Sequence, residues 1–239
     1  MMSRPLSLRQ IELLQTRRAL VPLVVKLLYP GLTVMIMLAG RAPHHIAASV
    51  IVLLIAFMSV VDLGLLWVRD RRSGLLARLA LTPLSAQRIV LDRFAAAVIT
   101  DLLQTLPIVG LLAVFFGSSP GTALILVVAL ATTLICSNTI SLAVTLLPGG
   151  RREVILYAVI TVFALLFLGG VFRPIGPAEG LLNALAHLIP YAPLHQAVRL
   201  AMNEKAMWSQ TEILVDSLAL AVTSVALLWT LAARLLQTD

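Results

Sequence analysis

Long apolar runs separated by short polar breaks dominate the sequence. They cover approximately residues 19–39, 46–68, 89–116, 122–147, 154–172 and 212–231. A helix of about 20 apolar residues matches the hydrocarbon thickness of a bilayer, and a backbone in lipid must pair its amides internally. The runs are continuous rather than alternating with period two, which excludes membrane barrel strands. The pattern predicts an all-α integral membrane protein with six transmembrane helices.

Three shorter segments differ from these runs. Residues 1–18 mix apolar and charged positions, a pattern typical of an N-terminal interfacial helix lying at the membrane surface. Residues 69–88 form a basic break followed by a short apolar segment. Residues 173–210 hold four prolines around the apolar stretch 181–189, which is too short to cross a bilayer and predicts a re-entrant or interfacial outer region. Residues 1–239 are therefore interpreted as a single transmembrane domain.

The composition and charge distribution agree with a membrane location. Hydrophobic residues make up 60% of the chain, charged residues only 12%, and the mean hydropathy is +1.00, whereas soluble proteins carry about 25% charged residues. The net charge of +7 comes from residues at the ends of apolar runs, so we expect no nucleic-acid partner. Thirteen of the 18 basic residues fall on the side that holds the N-terminus. This bias places both termini in the cytoplasm.

Sequence signatures of catalysis are absent. The chain has no G-x-x-x-x-G-K-[ST] phosphate loop, no H-E-x-x-H and no G-x-S-x-G, so it cannot hydrolyse ATP through a phosphate loop. Its single cysteine, Cys136, has no partner for a disulfide within one copy. His44, His45, His187 and His195 show no familiar ligand spacing, and solvated or interfacial roles are favoured over a metal site. We expect neither an enzyme nor a resident cofactor.

Three carboxylates fall within the predicted spans: Asp62, Asp101 and Asp216. A carboxylate in a membrane is costly and usually faces the bundle interior or a wet cavity. Asp62 and Asp101 either line a translocation path or pair with neighbouring groups; for Asp62 a candidate partner is Arg69, two turns along the same helix. For Asp216, near an interface, a structural role is favoured.

The cytoplasmic segment after the second span is the strongest local signal. Ser73 can cap a short helix in which Leu75, Leu76 and Leu79 share one face, and residues 82–85 then stop that helix and cap the third span. Such a helix either docks a soluble partner or rests among the lipid headgroups. Periodicity alone does not distinguish these roles.

Two stretches resemble motifs of ABC-2 type ABC transporter permeases. Residues 74–85, Gly-Leu-Leu-Ala-Arg-Leu-Ala-Leu-Thr-Pro-Leu-Ser, resemble that family's G-T-L-E-R-L-L-A-T-P-x-S stretch. Residues 169–175 and 188–193 resemble its G-x-x-F-P-x segment and the following aromatic-proline turn. The chain departs from the family at Leu75 and Ala77, where threonine and glutamate are usual, and at Ile189, where asparagine is usual.

This resemblance implies the permease subunit of an ATP-binding cassette transporter, of the exporting type, in a bacterial or archaeal plasma membrane. Two cytoplasmic ATPase subunits would bind the ATP and Mg, and a second copy or a related permease would complete the complex. The resemblance assigns coupling to the ATPase to Gly74, Leu75, Leu76, Arg78, Leu79, Thr82 and Pro83. It assigns an outer gate to Phe172, Pro174, Pro190 and Tyr191. The alternatives are a haem-exporter-like permease of cytochrome c maturation and a non-transporting channel or structural subunit.

Overall fold

The computed structural model describes residues 31–75 apart from 38 and 42, residues 85–173, residue 175 and residues 180–235. In this part of the chain residues 31–37 are helical and no strand occurs. The longer elements are α1 (His44–Arg72), α2 (Ala86–Phe116), α3 (Pro120–Thr145), α4 (Arg151–Leu168), α5 (Gly180–His187), α6 (Tyr191–Ala201) and α7 (Gln210–Leu235). The all-α prediction is confirmed for these residues.

Serine side chains begin three of the long helices. The hydroxyl oxygen of Ser85 accepts a hydrogen bond from the backbone N–H of Arg88 at the start of α2 (3.4 Å). Ser119 caps α3 in the same way (3.2 Å), and Ser209 accepts from the Glu212 N–H at the start of α7 (3.2 Å). Each serine satisfies one of the backbone donors that a helix leaves unpaired at its first turn. The predicted cap at the start of the third span is thus confirmed.

Helix α3 is the centre of the bundle, with α1, α2, α6 and α7 packed around it. It buries a series of hydroxyl-bearing residues that would be costly in lipid if unpaired. Several of their hydroxyls donate to carbonyls of the same helix, as Thr139 does to Ile135 (2.9 Å) and Thr145 to Leu142 (2.7 Å). The sequence can therefore place small polar residues at the core without leaving donors unsatisfied.

Helices α1 and α3 approach closely at a glycine. Ser141 of α3 donates its hydroxyl proton to the Val60 carbonyl of α1 (2.6 Å), and a Cβ added to Gly64 would lie 3.2 Å from the Ser141 Oγ. Small residues at a membrane helix contact let two backbones come together and exchange such bonds. Gly64 is therefore required by packing.

Four helical segments in the described residues are long and apolar enough to cross a membrane: His44–Arg72, Gln87–Phe116, Pro120–Thr145 and Gln210–Ala232. They correspond to the second, third, fourth and sixth predicted spans. The predicted fifth span is helical but ends at Leu168, four residues early, because the chain turns at Gly169 and Gly170, the latter with φ +70°. Most of the predicted first span and all of residues 1–18 lie outside the described residues, so the count of six stays a prediction.

The outer region contains two short helices with opposite environments. Helix α5 covers most of the apolar stretch 181–189, yet Leu181 is 76% exposed. Helix α6 is the buried element, with every side chain from Tyr191 to Val198 inside the bundle. The more polar of the two segments therefore enters the core, which hydrophobicity alone does not indicate. Re-entry into a membrane stays a prediction.

Candidate coupling site

A buried ion pair joins the helices on either side of the candidate coupling segment. Asp70 lies in the last turn of α1 and Arg93 near the start of α2, and the guanidinium of Arg93 donates to the Asp70 carboxylate. Asp70 is only 3% and Arg93 5% exposed. The guanidinium carbon also lies 6.0 Å from the centroid of the Trp67 ring, within the range of a cation–π contact.

Helix α1 ends two residues after Asp70. Ser73 ends α1, since its hydroxyl donates back to the Asp70 carbonyl (3.0 Å) and its N–H to the Arg69 carbonyl (2.9 Å). Gly74 follows with φ +68°, a left-handed conformation that glycine adopts without steric cost. The motif's glycine is therefore explained by backbone geometry. Whether Ser73 also caps the next helix stays a prediction.

Most of the predicted coupling residues lie beyond this turn. Gly74 and Leu75 are half-buried at the edge of the described residues. Leu76, Arg78, Leu79, Thr82 and Pro83 lie outside the described residues. The assignment of these residues to an ATPase contact therefore stays a prediction, while the two anchors of the segment are defined.

The Asp70–Arg93 ion pair connects the two anchors directly. Separating a buried carboxylate from its guanidinium leaves an uncompensated charge, which costs several kcal/mol. The end of α1 and the start of α2 are therefore expected to move together when the segment between them is displaced.

The two carboxylates predicted for a translocation path lie in different surroundings. Asp101 of α2 is buried, and the amide Nδ2 of Asn138 on α3 donates to its carboxylate (3.0 Å). The same amide nitrogen also donates to the Leu134 carbonyl (3.0 Å). Asp62 is half-buried on α1. Asp101 thus has a structural contact between α2 and α3, and a role for either residue in a path stays a prediction.

The described residues of the predicted outer gate fall into two groups. Pro190 and Tyr191 are both attached to α3: Thr133 donates to the Pro190 carbonyl (2.8 Å) and Ser137 to the Tyr191 hydroxyl (3.2 Å). Phe172 is instead partly exposed and stacks against Phe163 of α4, with ring centroids 6.3 Å apart. Pro174 lies outside the described residues. Gating itself stays a prediction.

A family model described as "ABC-2 family transporter protein" matches residues 42–233. The chain belongs to the ABC-2 family. The resemblance drawn from residues 74–85, 169–175 and 188–193 is confirmed. No curated protein and no solved structure matches the chain. As an ABC-2 family member with helices capable of spanning a membrane, it is a multi-pass membrane protein and a permease component rather than an enzyme itself.

Two polar contacts in this ABC-2 chain escaped sequence reasoning. The first is the Asp70–Arg93 pair, whose members are 23 positions apart; the only signal was a carboxylate inside an otherwise basic break. The second joins His187 of α5 to Asp216 of α7, with Nδ1 and Oδ2 2.5 Å apart, while the imidazole stacks on Trp208 at 4.1 Å. The structural role favoured for Asp216 agrees with this contact.

The expectation of a solvated or interfacial role was wrong for His195, which is only 2% exposed. It lies on α6 with Nε2 3.4 Å from the Ser49 hydroxyl of α1. Burial, and secondarily the positive charge of Arg199, lowers the pKa of His195 to about 4. This histidine is therefore neutral at physiological pH and forms part of the packing of α6.

Proposed function

We propose that the chain is the permease subunit of an ATP-driven exporter that operates with two cytoplasmic ATPase subunits. The ATPase subunits supply the nucleotide-binding and magnesium-binding residues, and a second copy of this chain or a related permease completes the complex. Membership of the ABC-2 family carries the proposal. It is supported by the buried Asp70–Arg93 contact, which joins the two helices that flank residues 74–83.

In the proposed mechanism, closure of the ATPase pair displaces the coupling segment: Gly74, Leu75, Leu76, Arg78, Leu79, Thr82 and Pro83. Because Asp70 and Arg93 hold the inner ends of α1 and α2 together, both helices follow the displacement as one body. The movement opens a path at the interface between permease copies, with the half-buried Asp62 as the candidate lining residue. Asp101, buried against Asn138 within one chain, takes the structural role instead. Phe172, Pro174, Pro190 and Tyr191 close that path on the outer side. Both termini lie in the cytoplasm and the bilayer is a plasma membrane.

The apolar faces of α2 and α7 support a second permease copy. In the most apolar 18-residue stretch of α7 only 22% of the residues are buried within the chain, and in that of α2 only 33%. Leu218, Val222 and Val225 of α7 are all more than half exposed. Such faces need either lipid or another helix against them, and the exporter model assigns part of this area to the neighbouring permease.

Replacing Leu76 and Leu79 with aspartate tests the coupling assignment. Two charges on the apolar face of the predicted coupling helix should abolish docking, because a desolvated carboxylate without a partner is costly. We expect the double variant to lose the co-purifying ATPase in mild detergent while retaining the wild-type melting temperature.

The matched control places the same two substitutions at the outer end of the bundle. Leu181 and Leu188 are exposed, so Leu181→Asp with Leu188→Asp should leave the ATPase bound. Retention of the ATPase by the inner variant would refute the docking assignment. If the wild-type complex itself contained no ATPase, the channel or structural-subunit alternative would replace the exporter.

A further inference from the structure

A small cleft lies where the inner ends of α1 and α3 meet the start of α4. Its volume is about 90 Å³, and its walls include Trp67, Arg71, Arg72, Thr145, Gly150 and Val154. A single water needs roughly 10–15 Å³ measured in the same way, so the cleft accepts a polyatomic group. Nothing in the transport mechanism above uses this cleft.

The polar walls of the cleft are suited to an anion. Arg71 and Arg72 contribute two guanidinium groups, and no carboxylate lines the cleft in the part of the chain that is described. The nearby carboxylate of Glu153 does not line the cleft and accepts from the N–H of Gly150 (2.9 Å). Guanidinium groups favour phosphate and carboxylate oxygens because they present several donors in one plane.

Trp67 provides an independent indication of a missing acceptor. The residue is 3% exposed, and its indole Nε1 is buried with no hydrogen-bond partner among the described residues. Buried indole N–H groups normally find an acceptor. An oxyanion in the cleft would supply one beside the two arginines.

Gly150 keeps space open for the arginine on the opposite wall. A Cβ at this position would come within 2.8 Å of the Arg72 Nη2, so the guanidinium would have to shift from its place in the wall. The guanidinium therefore lies directly against the loop backbone and remains at the edge of the cleft. A general excess of positive charge at the inner side of a membrane protein requires no such shape.

The apolar surroundings indicate the source of the anion. Val68 and Val154 form an apolar wall next to the arginines. The hydrocarbon part of a phospholipid held in the cleft would lie against this wall. A free phosphate ion would gain nothing from this surface.

We propose that this cleft binds the phosphate group of an anionic phospholipid, with Arg71, Arg72 and the Trp67 indole N–H as donors. Basic clefts between membrane helices on the cytoplasmic side are suited to anionic headgroups. The site is independent of ATPase docking: the Leu76→Asp, Leu79→Asp variant should bind the lipid like the wild type. Failure of one proposal is therefore distinguishable from failure of the other.

Lipid binding to the delipidated full-length protein tests the site. Native mass spectrometry with added phosphatidylglycerol should detect one tightly bound lipid, held at least about tenfold more strongly than phosphatidylcholine. Arg71→Ala with Arg72→Ala should reduce the affinity by about tenfold or more, the loss expected when charge-assisted hydrogen bonds are removed. Trp67→Phe keeps the aromatic packing, removes only the N–H and should weaken binding several-fold.

The matched control removes two arginines outside the cleft. Arg69 and Arg88 are exposed on the same side of the bundle, and alanine at both should leave the affinity within about twofold of the wild type. Equal losses in the two double variants would overturn the site in favour of general attraction to basic residues. Unchanged lipid binding in both Arg71→Ala, Arg72→Ala and Trp67→Phe would also overturn it.

Two further arms identify the source of the anion. Inorganic phosphate at millimolar concentration should not displace phosphatidylglycerol; if it does so and binds alone with similar affinity, the lipid assignment is overturned. If Arg71→Ala with Arg72→Ala releases the ATPase but keeps the lipid, the cleft docks an acidic protein segment and the lipid proposal is overturned. A variant that fails to melt like the wild type is replaced by Trp67→Phe for the comparison.

Discussion

Removing one member of the Asp70–Arg93 pair should destabilise the bundle more than removing both. Replacing Arg93 by methionine leaves the Asp70 carboxylate, 3% exposed, without the guanidinium that it contacts. Replacing Asp70 by leucine deprives the buried Arg93 of its carboxylate. Losing one partner of a buried pair costs about 3–5 kcal/mol.

The two single variants should differ. The Nε atom of Arg69 lies 3.9 Å from the second carboxylate oxygen of Asp70, although its side chain is largely exposed. Arg69 can therefore partly compensate the carboxylate in Arg93→Met, so its cost should lie near the lower end of this range. The double variant Asp70→Leu with Arg93→Met removes both charges, and exchanging a buried pair for apolar residues is often neutral or stabilising.

The assay is a double-mutant cycle on the free energy of unfolding, measured by titration with a denaturing detergent. We expect the sum of the two single costs to exceed the cost of the double variant by several kcal/mol. Coupling of this size is expected only for groups in direct contact. Additive single effects would refute the pairing, and with it the rigid connection between α1 and α2 on which the proposed coupling mechanism depends.

Two other perturbations test the packing. Gly64→Val should cost about 1–3 kcal/mol of stability through overpacking, because an added Cβ would lie 3.2 Å from the Ser141 Oγ. The control is Gly110→Ala, where no atom lies within 4 Å of an added Cβ. This control should not destabilise the protein in the same unfolding titration. Burial lowers the pKa of His195 from its ordinary 6.5 to about 4, so as the pH falls the unfolded state binds a proton before the folded state does. Folding stability is therefore lost as the pH falls from 6.5 towards 4, by roughly 2 kcal/mol at pH 5. Melting temperatures at pH 7.5 and 5 should show a smaller decrease in His195→Gln than in the exposed control His44→Gln, and equal decreases would contradict the burial argument.

The ends of the candidate coupling segment illustrate how local signals become structure. Ser85 was expected to cap the third span, and it does, because a cap involves only residues within one turn. Gly74 belongs to the motif shared with ABC-2 permeases, and its positive φ gives a physical reason for glycine there. Both features depend on neighbours in the sequence, so they could be predicted without knowledge of the fold.

Partners of buried charges could not be predicted in this way. Sequence spacing suggested Arg69 as a partner for Asp62, because the two are two turns apart on one helix. In the folded chain Arg69 lies beside Asp70, and Asp70 reaches Arg93 on the next helix. Which carboxylate meets which guanidinium depends on how α1 and α2 rotate against each other, and spacing within one helix contains no information on that rotation.

The sequence by itself determined the class of protein and most of its long helices, because hydrocarbon thickness and backbone hydrogen bonding act on each apolar run separately. The tertiary structure alone decided that α6 rather than the more apolar α5 is buried, that His195 is enclosed and that Trp67 lines a cleft with two arginines. Each of these follows from α3 occupying the centre of the bundle, where neighbours are chosen by shape and by hydrogen-bond partners from distant parts of the chain.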